Sequence, residues 1–212
     1  MRVWDLPIRL FHWLLVILVA VSWLSAEERR MDIHLLSGLG VLGLVVFRLL
    51  WGLFGSSTAR FARFVRGPGA VIAYLRGHGG EKRAGHNPLG ALSVVALLAL
   101  LAVQVGTGLF ASDTDGLDYG PLNFLVSYGM AETLTDIHKT AFDLLTVLIV
   151  LHVAAIVFYL AVRKRNLLRP MITGRDPQVT AGEMVPAGPL RFLLAAVPAA
   201  ALAYAAGQGF FL

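Results

Sequence analysis

Cysteine is absent from the chain. Disulfides, Cys-ligated iron–sulfur clusters and covalent haem attachment through C-x-x-C-H are therefore excluded. Charge is scarce: 15% of residues are charged, against about 25% in an average soluble domain. Hydrophobic residues make up 57% of the 212, and the mean hydropathy is +0.72. That balance excludes an ordinary water-soluble globule. Apolar runs of about 20 residues recur instead, long enough to cross a bilayer. A cleavable leader is not expected. The first apolar run carries His12 and lacks a small-residue cleavage site, so it reads as a retained helix.

Five spans fit the pattern, and they predict an all-α membrane protein. The first covers roughly residues 6–25, with Asp5 as N-cap and Pro7 in the first turn. The others cover roughly 33–54, 88–111, 132–162 and 189–208, the third opened by Asn87-Pro88 and the last kinked at Pro198. The connections alternate in charge. Arg2 and Arg9 lie at the N-terminus, Arg60, Arg63, Arg66, Arg76, Lys82 and Arg83 in the second connection, and Arg163, Lys164, Arg165, Arg169 and Arg175 after the fourth span. The first connection is mixed, and the third is acidic, with Asp113, Asp115, Asp118, Glu132 and Asp136. By the positive-inside rule the N-terminus is cytoplasmic and the C-terminus periplasmic. The net charge of +5 is then a topology signal, and no nucleic-acid partner is expected. Residues 58–76 interleave Arg60, Arg63 and Arg66 with Phe61, Phe64 and Val65, the pattern of an amphipathic segment on the inner membrane surface.

Four of the six histidines, His12, His34, His138 and His152, lie in or at the ends of apolar helices. Ionisable groups in a membrane are costly and usually functional. Fourteen residues separate His138 from His152. They span about 21 Å of helix axis and return to within about 40° of the same face. His12 lies near the inner end of the first span and His34 at the outer start of the second. The four sort into an inner pair, His12 with His152, and an outer pair, His34 with His138. Depths along the helices match only if the fourth helix protrudes about two turns beyond the outer interface, or is shifted along its axis. Two imidazoles per level leave a bare zinc ion undercoordinated. Haem supplies four nitrogens and needs only two axial ligands, so the quartet points to two six-coordinate b-type haems and to electron transfer. Ser37, Gly38, Gly40 and Gly43 on the second span, with Gly106 and Gly108 on the third, let helices or a macrocycle approach closely. His78, in a Gly-rich basic loop, and His86, in GHNP, are given no role.

The stretches VWDLPIRLFHW, IHLLSGLGVLGLVVFRLLWG, ARFARFVRGPGAVIAYLRG, GHNPLGAL and RNLLRPMITGR, with His138 and His152, run in order from position 3 to about 175. Together they make the chain resemble the prokaryotic cytochrome b561 family, which includes the b-type cytochrome subunits of membrane-bound nickel–iron hydrogenases. The resemblance implies a four-helix transmembrane bundle over residues 1–175 holding two haems on His12, His34, His138 and His152. It also implies electron exchange between the quinone pool and a redox partner in a bacterial inner membrane. Such a partner would be a c-type cytochrome or a dehydrogenase- or hydrogenase-type subunit. Residues 176–212, a linker and a fifth span, lie outside that pattern. The small residues Ala195, Ala199 and Ala203 would let this span pack on a neighbour, within the chain or from another subunit. The acidic connection 112–131 would suit a basic partner. No Cys–His–carboxylate constellation for substrate chemistry is present. Membership of an oxidoreductase complex, a self-contained quinone-linked oxidoreductase such as a superoxide-oxidising one, a non-redox anchor or proton relay, and a homo-oligomer all stay open at this point.

Overall fold

The structure is a computed structural model that describes residues 1–76, 84–112 and 118–209. His78, Lys82, Arg83, Asp113 and Asp115 lie outside the described residues. Five helices are long and apolar enough to cross a membrane: α1 (Leu6–Glu27), α2 (Met31–Phe54), α5 (Pro88–Gly108), α6 (Tyr128–Ala161) and α8 (Pro189–Gly207). Shorter helices are α3 (Phe61–Phe64), α4 (Pro68–Leu75) and α7 (Leu168–Thr173). The described residues contain no strand, only isolated bridges between Arg2 and Arg175 and between Ser112 and Tyr119. All-helical spans are what hydrocarbon demands, because each helix satisfies its own backbone.

The expected starts of α1 and α5 are built by side chains. Asp5 Oδ1 accepts the Ile8 N–H at 2.8 Å, and Asn87 Oδ1 accepts the Gly90 N–H at 2.7 Å. Each cap satisfies an amide that helix geometry leaves open. α5 stops at Gly108, short of the expected end. There the chain turns, and the Leu122 N–H donates to Leu109 O at 2.8 Å while Asn123 Nδ2 donates to Phe110 O at 2.7 Å. Gly120 fits only because it has no Cβ, which would fall 2.4 Å from the carbonyl oxygens of Gly108 and Leu109. α6 starts four residues earlier than expected and runs 34 residues. That is about 51 Å of helix against a hydrocarbon core of about 30 Å. α8 runs through Pro198 without interruption.

The chain forms two compact units, and each of the five long helices contributes residues to both. Unit I comprises 1–11, 48–97 and 148–194; unit II comprises 12–47, 98–147 and 195–212. In unit I, Trp51 is buried and its Nε1–H donates to Asp5 Oδ2 at 2.9 Å. Gly174, at φ +76°, ends α7 in the left-handed conformation and accepts the Val3 N–H at 2.8 Å through its carbonyl. Arg9 Nη1 donates to the Ile172 carbonyl. The first and last of the motif stretches thus meet. Tyr74, Tyr159 and Asn87 form a hydrogen-bonded triad that ties α4, α5 and α6, with 2.6 Å between the two hydroxyls. Phe64 is buried and Phe61 packs on Gly52, where a Cβ would come within 2.0 Å of the ring. Only Val65 of that apolar set remains outward-facing, beside the exposed Arg63 and Arg66.

Unit II buries Val41, Val45, Leu101, Ala141 and Leu145. The small residues of α2 divide their work. A Cβ on Gly40 would lie 2.8 Å from Leu18, and one on Gly43 would lie 3.4 Å from Ala203, so these two glycines admit α1 and α8. A Cβ on Gly38 would meet nothing within 4 Å. Ala195, Ala199 and Ala206 are buried. The small-residue face of α8 is therefore used inside the chain.

Candidate functional site

Two of the four membrane histidines meet in unit II. The His34 and His138 ring centroids are 6.2 Å apart, with the planes at 79°. An imidazole nitrogen sits about 2 Å from a metal it ligates, so two imidazoles on opposite sides of one ion stand about 6 Å apart between centroids. The observed spacing fits that requirement. Both rings are also held in the right tautomer. His34 Nδ1–H donates to the Ser22 carbonyl at 2.8 Å, and His138 Nδ1–H donates to the Gln104 carbonyl at 2.8 Å. A carbonyl can only accept, so each neutral ring keeps its lone pair on Nε2.

α5 positions His138. A Cβ on Gly108 would fall 2.8 Å from His138 Cε1, so glycine is what lets the ring lie against that helix. Gln104, one turn earlier, touches both ring nitrogens, since its Nε2 lies 3.0 Å from His138 Nε2. Its Oε1 is buried with no hydrogen-bond partner among the described residues. A cavity of about 290 Å³ opens here, bordered by His34, His138, Gln104, Gly38 and Gly108. It is near the small end of ligand pockets, about 300 Å³, and Gln104 is the side chain that would turn aside for a larger guest. Among the described residues, no cluster of three or more His, Cys, Asp or Glu side chains could hold a bare ion. The donor set therefore fits a metal that brings its own equatorial ligands.

His12 belongs to unit II, where its ring meets Trp13 edge-on at 5.0 Å; His152 belongs to unit I. All four histidines are half-buried. Unit I adds two residues that sequence reasoning passed over as site candidates. His86 is gripped between Trp4 and Phe64, each 4.7 Å from its ring. Burial, then the nearby charges of Arg48 and His152, drives its imidazole down to about 3, so it is neutral at physiological pH. Arg48 is buried beneath the same aromatic wall. The signal that could have found Arg48 was its position inside an apolar span, where a charge calls for a partner. His86 carried no comparable signal, because its neighbours come from distant parts of the chain.

The family described as prokaryotic cytochrome b561 matches residues 3–174. No curated protein and no solved structure gives a match. The match takes in all four membrane histidines, His86, Arg48 and the four spans before α8. With most of its length inside the family's pattern and five helices able to span a bilayer, the chain belongs to the prokaryotic cytochrome b561 family: it is a multi-pass membrane b-type cytochrome of electron transport.

Proposed function

We propose that the protein is a two-haem conduit carrying electrons between the membrane quinone pool and a protein partner. His34 and His138 would hold one haem, and His12 with His152 the other, the second pairing resting on the sequence alone. A b haem held between two of these histidines would supply a one-electron couple. The chain's part is to orient the ligands, exclude water and set the potentials. Backbone carbonyls of Ser22 and Gln104 fix His34 and His138 in the ligating tautomer. Residues 1–175 would form the haem-binding domain and 176–212 an added span. The N-terminus would be cytoplasmic and the C-terminus periplasmic, in the bacterial inner membrane, on the charge alternation. A c-type cytochrome or a dehydrogenase- or hydrogenase-type subunit would dock on the periplasmic side.

The observation that carries this reading is the His34–His138 geometry: ligand spacing, with both Nδ1 atoms already engaged. Haem-to-protein ratios from reduced-minus-oxidised spectra test it. Wild type should hold two haems per chain, and His138→Ala and His152→Ala should each hold one. Equal haem content in all three proteins would defeat the ligand assignment, and a colourless protein would defeat the function.

A further inference from the structure

Among the described residues, unit I contains a buried cation without a bonded anion. Arg48 is 3% exposed. Its guanidinium carbon lies 4.8 Å from the Phe61 ring centre and 5.9 Å from that of Phe64. Nη1 is buried with no hydrogen-bond partner among the described residues. Phe64 also flanks His86, whose Nδ1 is buried and equally without a partner. Asp5 is the carboxylate whose charge reaches Arg48, yet its oxygens serve other donors: Oδ1 takes the Ile8 amide and Oδ2 the Trp51 indole. A buried charge and a buried polar nitrogen left this way are expensive. Cation–π contact with Phe61 offsets part of that cost but supplies no acceptor. A guanidinium beside an imidazole matches a carboxylate, whose planar pair of oxygens can take a donor from each. The surrounding aromatic wall of Trp4, Phe61 and Phe64 favours a carboxylate that arrives on an apolar body over a free hydrated ion. His152 is the other ionisable side chain, besides Arg48, whose charge reaches His86.

We infer that Arg48 and His86 form a carboxylate-binding site for a propionate of the haem ligated through His152. The inference rests on the two-haem reading above. A non-covalent b haem brings two carboxylates into the membrane, and each needs a donor. Arg48 would also act on that haem's potential. Reduction adds an electron, and a nearby cation favours the reduced form.

The test uses the full-length, haem-loaded protein, with haem carrying ¹³C-labelled propionate carboxylates. Two measurements are made on wild type, Arg48→Gln, Arg48→Lys and His86→Phe: a potentiometric titration, and a redox-difference infrared spectrum. Arg48→Gln should move one of two midpoint potentials to a more negative value, leave the other in place, and displace a ¹³C-carboxylate band. Arg48→Lys, which keeps the charge but not the fork, should shift the same potential less. His86→Phe should displace the same band and keeps the test available should Arg48→Gln fail to fold. An unmoved ¹³C band and unmoved potentials in the folded variants would overturn the inference. So would a response that tracks the anionic-lipid content of the nanodisc or added inorganic phosphate, since the anion would then be a phosphate. A wild-type ratio of one haem per chain would instead remove the two-haem reading beneath it. A ratio of two with no effect at Arg48 or His86 would remove only the propionate site.

Discussion

The His34–His138 pair of unit II and His86 of unit I are bonded in opposite ways. In unit II, the Nδ1 atoms of His34 and His138 are already bonded to backbone carbonyls, which turns the opposite nitrogens to a ligand role, that of His138 meeting the Gln104 amide at 3.0 Å. In unit I, His86 Nδ1 and Arg48 Nη1 are buried with no hydrogen-bond partner among the described residues. A satisfied site is pre-formed: it holds its geometry before any guest arrives. An unsatisfied one stores a desolvation cost that a guest can relieve. The contrast follows from where the residues come from. Unit II is assembled from segments of the long helices and the connections between them, and backbone carbonyls of α1 and α5 take the Nδ1 hydrogens. Unit I gathers aromatic and basic side chains from the N-terminus, α2, α3 and the residues before α5, and these provide walls and donors but few free acceptors.

The sharpest way to break this comparison is at Gly108. Gly108→Val puts a branched side chain where even a Cβ would be 2.8 Å from His138. It should lose one haem per chain, as His138→Ala does, although no ligand has changed. Full haem content measured by spectrum and protein assay would mean that the ring is not held against α5. Asp5 is the corresponding point in unit I. It both caps α1 and receives the Trp51 indole, so Asp5→Ala removes both bonds and takes that acceptor from the Ile8 amide and from the indole. A loss of about 1–3 kcal/mol is expected, read as a lower melting temperature in detergent with haem stoichiometry retained. The smallest effect concerns acid. In haem-free protein, His86 sits at about 3 when folded, well below the ordinary histidine value of 6.5. The unfolded chain therefore binds the extra proton between those values, and the stability tied to neutral His86 is lost as pH falls from about 6.5 towards 3. His86→Phe should lose less stability than wild type over that interval. Parallel melting curves from pH 7 to pH 4 would show that the imidazole is not enclosed.

Much of the architecture was legible in the sequence, because hydrocarbon is a demanding solvent. The start of α8 at Pro189 matches the expectation, and those of α1, α2 and α5 fall within two residues of it. Asp5 and Asn87 announced their caps by standing just before a first-turn proline. The early start of α6 at Tyr128 was missed, since Tyr-Gly-Met-Ala carries no strong apolar signal, although Ser127 just before it is a residue that favours the N-cap. The pairing of His34 with His138 was readable from their places near the outer ends of their spans, given the alternating charge of the connections. What holds them was not: a carbonyl at Ser22 or Gln104 belongs to the backbone and leaves no trace in residue type. The cluster of Arg48 and His86 with its aromatic neighbours was equally hidden. Trp4, Phe64 and His86 are separated by tens of residues, and no local pattern ties an aromatic pair to a histidine.

By itself, then, the sequence determined that this chain crosses a membrane on helices, and it placed four imidazoles in or at the ends of those helices. Backbone satisfaction in lipid admits few other solutions, and hydrophobic run length reports it directly. Only the tertiary structure decided which nitrogen of His34 and His138 bonds a backbone carbonyl, why Gly108 must be glycine while Gly38 leaves open space, and which buried donors lack an acceptor among the described residues. Those outcomes depend on separations of a few ångströms between residues distant along the chain, set by how helices pack, and packing is a property of the whole fold.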